Sequence, residues 1–310
     1  MPNLTSAPIR EAVILAAGLG RRLAPLTTIL PKPALPVLNE SMLWRWLVKA
    51  RALGIVKIAV NAHYLPDFIK AEVELAQKTF PDLELSLSYE PVILGTGGGV
   101  KVAAADFKGP FLVINADIYT TLDLSLLIKA HFEKKAWVTL AVLDYPEKAT
   151  VSLDQDFRII GLRSPKPCLG EVTRLCGLGI LVMETDFRDS LPLGYSDLIE
   201  ELSNYLPYQG VWAYLSRDFW SDMGTVASYW ALNAYLAQNQ VIRAPGAEVL
   251  GETEGFVVLG SAARIERGAK VINSVLWPGA VAPPGSVVRE AILAGRAPTN
   301  KEVIDVWLGN

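Results

Sequence analysis

Short, almost wholly apolar runs recur along the first half of this chain. They are "AVILAAG" (12–18), "VKIAVNA" (56–62), "PFLVINAD" (110–117) and "AWVTLAVL" (136–143). A strand buried on both faces has no polar side to alternate, and such strands belong to parallel sheets covered by helices. The intervening stretches read as helices. In "NESMLWRWLVKARALG", Leu43, Trp46, Leu47, Ala50 and Leu53 share one face, Ser41 is placed to cap the start and Gly54 to end it. "PDFIKAEVELAQKT" (66–79) carries proline in its first turn, and "DLSLLIKAHFEKK" is a further helix. "LELSLSYE" (83–90) alternates as a strand. Alternation of strand and helix over about 145 residues implies an α/β fold with a mostly parallel sheet and helices on both faces.

Beyond that point the texture changes. "TVSLDQDFRIIGL" reads as a hairpin around Asp154–Asp156, "RLCGLGILVM" and "GVWAYL" as strands, and "SDLIEELSNYL" and "VASYWALNAYLAQNQ" as helices. From about Ala244 a period of six takes over: "LGSAAR", "IERGAK", "VINSVL", "WPGAVA", "PPGSVV", "REAILA". The fifth positions are Ala263, Ala269, Val275, Val281, Val287 and Leu293, all small or aliphatic. Hexapeptide repeats mark a parallel β-helix, three blocks to a coil, so about two coils are expected. Trp277, Pro283 and Arg289 fit the first position less well than Leu259, Ile265 and Val271. The expected division is a domain over 1–243 and a short β-helix over 244–310. Open coil ends and Trp277 would suit a homo-oligomer.

Of the 310 residues 51% are apolar and 20% charged, and the formal charge is −3. A substantial core is possible, and a dedicated nucleic-acid binder, which needs a basic surplus, is disfavoured. Two cysteines, Cys168 and Cys176, and two histidines are too few for a zinc site, and free thiols are expected. The start, "MPNLTSAPIR", lacks the apolar segment of a leader, and no apolar stretch is long enough to span a bilayer. The expectation is a cytoplasmic protein without a membrane partner.

The first apolar run leads into "LAAGLGRRLAPLTTILPKP" (15–33). Gly18 and Gly20 begin a dinucleotide fingerprint, but Leu23 stands where its third glycine belongs, and no G-K-[ST] follows for a P-loop. Pro25, Pro31, Pro33 and Pro36 oppose a helix, so an extended arm is expected. Glycines after a strand let backbone N–H groups approach a phosphate, and Arg21, Arg22 and Lys32 add charge along the same segment. A polyphosphate held by backbone at one end and by cations along an arm is the physical reading; the alternative is a tight structural turn.

Two acids stand out. Asp117 ends a buried strand, at the edge where α/β sheets bind ligands. Asp222 lies in "FWSDMGT", just before a helix. Each could instead be a helix cap or turn residue. Two carboxylates near a polyphosphate suit Mg²⁺, which takes one or two carboxylates plus phosphate oxygens. "LGTGGGV" (94–100) is a second glycine run, able to lie against a flat ring or to serve as a flexible turn. His63 is read as structural and Lys166, in "RSPKP", as a solvated loop lysine unless a ligand claims it.

Taken together, "LAAGLGRRLAPLT", "PKPALPV", "LGTGGG", "NAD" and "WSDMGT" resemble the sugar-1-phosphate nucleotidyltransferase family over about residues 11–240. Ala116 replaces the family's usual glycine before Asp117, and "SPKP" stands for its usual E-K-P. "VNAHYLPD" and "GTGGGV" look like the branch holding N-acetylmuramate-1-phosphate uridylyltransferase and the guanylyltransferases for mannose and heptose 1-phosphates. The resemblance implies a Rossmann-like domain followed by a short left-handed parallel β-helix. It implies Mg²⁺ held by Asp117 and Asp222, with Arg22 and Lys32 as further catalytic groups on the phosphates. Nucleotide contacts are implied at Leu15, Ala17, Gly18, Gly20, Arg22, Gly95, Thr96, Gly97, Gly98 and Asn115, and sugar-phosphate contacts at Lys166, Glu171 and Gly179. The implied reaction joins a nucleoside monophosphate from GTP or UTP to a sugar 1-phosphate, with release of pyrophosphate. Guanylyl transfer to a mannose- or heptose-type sugar is the first expectation, and uridylyl transfer to N-acetylmuramate 1-phosphate or another hexose 1-phosphate the second. A non-catalytic sugar-nucleotide-binding subunit is the alternative from another class.

Overall fold

The computed structural model describes residues 9–164, 166–206 and 210–309. The residues before Ile9, and Pro165 of the "SPKP" stretch, lie outside them. The chain divides into two compact units, Met1–Leu19 with Leu43–Trp220 and Gly20–Met42 with Ser221–Asn310.

The first unit follows the alternation in the sequence. In chain order it holds β1 (Glu11–Leu15), α1 (Met42–Ala52, whose first residue belongs to the other unit), β2 (Lys57–Ala62), α2 (Pro66–Thr79), β3 (Glu84–Tyr89), α3 (Gly95–Ala103) and β4 (Phe111–Asn115). Then come α4 (Leu124–Lys134), β5 (Val138–Leu143), β6 (Val151–Leu153), β7 (Ile159–Leu162), β8 (Thr173–Met183), α5 (Thr185–Ser190), α6 (Leu198–Tyr205) and β9 (Val211–Ser216). The sheet runs β7-β6-β8-β4-β1-β2-β3, with β5 beside β8 and β9 beside β5. Strands β1 to β4 pair in parallel, and so do β5 and β9. Strand β8 runs against both β4 and β5. The parallel strands are apolar throughout because they are covered: Ala12, Val13 and Ile14 of β1 and Phe111, Leu112 and Ile114 of β4 are almost wholly buried.

The helices form where capping and periodicity agree. In α2, Pro66 occupies the first turn and Ile69, Val73 and Ala76 are buried at helical spacing. In α4, Asp123 caps the start by accepting from the Ser125 N–H at 2.9 Å, and Leu124, Leu127, Ile128 and His131 form the buried stripe. Losing such a cap costs about 1 kcal/mol. The hairpin at 151–162 forms as expected, its turn closed by Asp154 Oδ1 accepting from the N–H groups of Asp156 and Arg158. Cys168 and Cys176 form no disulfide among the described residues.

The second unit joins the N-terminal arm, helix α7 (Val226–Ala237) and the C-terminal strands. The arm forms no α-helix, but neither is it extended. It coils through three 3-10 turns, Arg21–Leu23, Leu26–Thr28 and Lys32–Ala34. Proline forbids a continuing α-helix yet is compatible with the start of an isolated turn, so four prolines segment the arm without straightening it. Strands β10 (Val241–Arg243), β12 (Glu252–Leu259), β14 (Lys270–Leu276), β16 (Val287–Ala294) and β17 (Glu302–Leu308) stack in parallel in one sheet; β11 (Glu248–Val249), β13 (Arg264–Ile265) and β15 (Val281–Ala282) form another. These are the faces of a left-handed parallel β-helix.

That β-helix departs from the sequence reading in three ways. Its central step is 17 residues, not three sixes: Arg264 pairs with Val281, Val271 with Val288, Val275 with Ile292. A stack of buried alanines, Ala263, Ala280 and Ala297, keeps that step and fills the narrow interior. The hexapeptide frame therefore slips: Val287 is only partly buried, while Val288 is fully so. Five strands in the larger sheet also make more than two coils. Trp277 is no surface anchor for a second copy. It is 3% exposed, and its indole N–H donates to the Tyr229 hydroxyl at 3.1 Å.

The division of the chain differs from a cut at 243/244, because α7 and the arm belong with the coils. Buried Tyr229 donates to the Pro36 carbonyl at 2.6 Å, Asn233 Oδ1 accepts from the Leu38 N–H, and Trp230 donates to the Asn273 carbonyl at 2.8 Å. Burial pushes the Tyr229 phenol well above its ordinary range, so it stays a neutral donor.

Candidate active site

Three adjacent parallel strands end together in the first unit. Leu15 of β1 pairs with Asn61 of β2 on one side and with Asn115 of β4 on the other. The loop after β1 and the turn after β4 therefore leave the same edge, and the Ala116 N–H bonds to the Leu15 carbonyl at 3.0 Å. This is the carboxyl edge of a parallel sheet, where α/β folds bind ligands. Leu15, Ala17, Gly18, Asn115 and Asp117 all stand there. Gly179 joins them from β8: it has φ +72°, and a Cβ on it would lie 2.6 Å from Asn115 Nδ2. Asp117 is half-buried in the turn and caps no helix, since Asp123 performs that task for α4.

Gly18 is exposed, lacks a positive φ, and has nothing within 4 Å of the position a Cβ would take. The fold itself places no demand for glycine there. Gly20 differs: its φ is +62°, and a Cβ would meet Thr27 Cγ2 at 2.8 Å and Lys32 Cβ at 3.3 Å.

The second glycine run is largely a packing device. Helix α3 begins at Gly95 itself, so "GTGGG" is helical, not a loop leading into a helix. Segment 194–198 clasps it: the Ser196 N–H donates to the Leu94 carbonyl at 2.9 Å, the Gly97 N–H to the Ser196 carbonyl at 2.9 Å, and the Leu198 N–H to Thr96 Oγ1 at 2.9 Å. A Cβ on Gly95 would strike the Ser196 carbonyl, one on Gly97 the Ser196 hydroxyl, and one on Gly98 the Gly194 carbonyl. Gly97 and Gly98 are buried, which leaves Leu94, Gly95 and Thr96 as the accessible part of the run.

Two residues that the sequence reading left without a role tie these loops together. Asn61, 2% exposed, accepts from the Ala16 N–H at 2.6 Å and donates to Glu90 Oε1 at 2.7 Å. Glu90, 1% exposed, accepts from the Leu94 N–H at 2.8 Å through its other oxygen. A Cβ on Gly99 would crowd both. The available signal was position: Asn61 and Glu90 close the apolar or alternating runs that end at this edge. His63 is held through Nδ1 against the Glu90 carbonyl, in keeping with a structural role.

Two of the expected sugar-phosphate residues, Lys166 and Glu171, lie in the segment that precedes β8. Glu171 accepts from the Arg174 guanidinium at 2.9 and 3.1 Å and from the Cys168 N–H at 2.8 Å. Arg174 also donates to the carbonyls of Ser164 and Lys166. The Arg174 hydrogen bonds pull the Glu171 carboxyl down to about 2. Its carboxylate thus holds the 164–174 loop together, and the Lys166 side chain is exposed.

The second unit supplies its own cluster. Arg22 is exposed and makes no hydrogen bond or ion pair among the described residues. A Cβ on Gly224 would lie 3.4 Å from Arg22 Nη2 and 3.3 Å from Asp222 Oδ2, so both side chains close over that glycine. Asp222 is not the cap of α7: Thr225 is, in a reciprocal capping box with Ser228. Lys32 opens the third turn of the arm, its Cβ against Gly20. Among the described residues no three His, Cys, Asp or Glu side chains cluster as a metal cage. Asp117 and Asp222 are hard oxygen donors of the kind Mg²⁺ takes singly or in pairs alongside phosphate.

The chain belongs to the nucleotidyl transferase family, whose model matches residues 11–239. It is 29% identical to a UTP–glucose-1-phosphate uridylyltransferase of Synechocystis, over 91% of this chain and 82% of that protein. It is 27% identical to a mannose-1-phosphate guanylyltransferase of Mycobacterium tuberculosis, over 90% and 82%. With an N-acetylmuramate alpha-1-phosphate uridylyltransferase of Neisseria meningitidis it shares 27%, over 70% and 94%. The crystal structure of HddC from Yersinia pseudotuberculosis superposes with a TM-score of 0.61 at 22% identity, over 74% of this chain and all of the other; that likeness concerns the fold. No helix among the described residues is long and apolar enough to cross a membrane.

Proposed function

We propose that this nucleotidyltransferase joins a nucleoside monophosphate, taken from a nucleoside triphosphate, to a sugar 1-phosphate. The observation that carries the reading is Gly18: a glycine the fold does not require, with open space before it, at the carboxyl edge beside Asn115 and Asp117. Backbone unshielded by a side chain is what a phosphate needs.

In the proposed reaction an oxygen of the sugar 1-phosphate attacks the α-phosphorus in line. A new P–O bond forms, the bond to the bridging α–β oxygen breaks, and that electron pair leaves with pyrophosphate. The attacking phosphate is already anionic, so no protein nucleophile or general base is needed. Arg22, uncommitted within the fold, neutralises the leaving pyrophosphate; Lys32 neutralises the α-phosphate. Asp117 and Asp222 would hold Mg²⁺, which when bound supplies further charge neutralisation. A millionfold acceleration takes about 8 kcal/mol, and one charge-assisted hydrogen bond contributes about 1.5–3 kcal/mol. Two cations therefore fall short by themselves, and alignment of the substrates makes up the remainder. Asn115 is assigned to a nucleotide contact and Gly179 to a sugar-phosphate contact at the same edge, while Glu171 shapes the loop that carries Lys166.

The matched relatives divide between guanine and uracil. The guanylyl reading, with a mannose- or heptose-type acceptor, rests on the C-terminal β-helix that the resemblance ties to that branch. The test is a matrix of GTP, UTP, ATP and dTTP against hexose and heptose 1-phosphates, read by pyrophosphate release with Mg²⁺ or with EDTA. Release that needs both substrates supports transfer. Nucleotide binding without release in any pairing would favour a regulatory subunit.

A further inference from the structure

The second unit contains a cavity of about 560 Å³ that the proposed reaction leaves unused. Pro25 of the arm, Val226 and Trp230 of α7, and Ile292 of the β-helix give it apolar walls, and Glu290 and Asp305 give it carboxylates. Its volume suits a small organic molecule. The Trp230 ring is held in place by its bond to the Asn273 carbonyl and by edge contact with Phe256. Among the described residues no cationic side chain lines the cavity, and Arg289, next to Glu290, is engaged with Glu302.

The two acids stand at an unusual place in the backbone. One corner of the β-helix takes the left-handed conformation in successive coils, at Gly255 (φ 66°), Asn273 (φ 47°), Glu290 (φ 47°) and Asp305 (φ 65°). Glycine, asparagine and aspartate adopt that conformation more readily than glutamate, and both acids are exposed. Asn273 also bonds within the fold, accepting from the Phe256 N–H at 3.2 Å. Glu290 and Asp305 make no hydrogen bond or ion pair among the described residues. The Glu290 side chain gives the fold nothing in return for an awkward backbone, and strain of that kind gathers at ligand sites.

We infer that this cavity binds a small organic cation, an amine or guanidine on a short apolar stem, with the charge against Glu290 and Asp305 and the stem along Trp230. A guanidinium suits such a place, since it stacks on an indole face and pairs with carboxylates. Along the chain, two of the cavity's walls follow closely on the proposed phosphate machinery. Pro25 is three residues after Arg22, and Val226 four after Asp222. The occupant therefore acts as an effector of triphosphate binding, a consequence that rests on the reading of Arg22 and Asp222 given above.

The probe is 4-aminobutylguanidine, titrated calorimetrically into the full chain, with N-butylurea as its neutral counterpart. The expected result is saturable binding of the cation with Kd below about 1 mM, and none of the urea. A Glu290→Asn, Asp305→Asn double variant removes both charges and suits the left-handed backbone better. It should melt at a higher temperature while binding the cation at least about tenfold more weakly, a combination that misfolding would not produce. By reciprocity, a non-hydrolysable triphosphate should shift the cation's Kd by about threefold or more. A triphosphate that fails to bind at all overturns the proposed function and leaves the cation site standing. No saturable binding by the wild type, or undiminished binding by the folded double variant, overturns the site.

Discussion

The two glycine runs of this molecule look alike as sequence and serve different ends. In the 95–99 run each glycine has a neighbour that excludes a side chain: Ser196 for Gly95 and Gly97, Gly194 for Gly98, Asn61 and Glu90 for Gly99. In the 18–20 pair, Gly20 is of the same kind, while Gly18 meets nothing within 4 Å. A glycine that the chain's own packing demands is accounted for by the fold. A glycine in open space at a strand's carboxyl edge is left to be accounted for by a ligand.

The largest effect expected from breaking this comparison is on stability. Gly98→Ala forces a Cβ into the Gly194 carbonyl and should cost about 3 kcal/mol, lowering Tm by roughly 6–9 °C in calorimetry. Gly18→Ala should do the reverse: Tm within about 1 °C of wild type, but kcat/KM reduced about 100-fold as the phosphates are displaced. If Gly18→Ala unfolds the protein and Gly98→Ala does not, the distinction between the two runs is lost.

Asn61→Ala sharpens the comparison, because Asn61 links the two runs through Ala16 and Glu90. Two buried partners would be left unpaired, costing about 2 kcal/mol in denaturant unfolding, with a higher KM for the triphosphate than for the acceptor. The smallest effect concerns the 164–174 loop. The Glu171 carboxyl is held down by Arg174, so its contribution is fully present above the ordinary value near 4.5 and is lost as the pH falls toward about 2. Protease cleavage of that loop should therefore rise only on acidification through this window, and Glu171→Gln should be susceptible already at neutral pH.

Much of the fold was legible because local signals and burial agree. Helix α2 runs over the expected residues 66–79, and β2 and β4 fall inside the apolar runs that announced them. What stayed hidden depends on partners remote in sequence. Nothing near Gly97 or Gly98 reveals that residues 194–198 will lie across them, so a packed helix reads as an open loop. The step of 17 in the β-helix arises from the stacking of Ala263, Ala280 and Ala297, and a local count of sixes drifts by one residue per coil. In the candidate site, Asp117, Gly18 and Arg22 were visible because their motifs are contiguous. Asn61 and Glu90 were not, because the bonds that join them to the site reach 45 residues back from Asn61 and 29 residues on to Glu90. The roles of Asp117 and Asp222 as helix caps fell away only once Asp123 and Thr225 were seen in those positions.

The central claim is that phosphoryl chemistry takes place at the carboxyl edge where β1 and β4 end. Its most direct test is pyrophosphate release by Asp117→Asn, with the best substrate pair and with circular dichroism matched to wild type. The account predicts a loss of about 100- to 1000-fold in kcat with the fold intact. Release at the wild-type rate would contradict it.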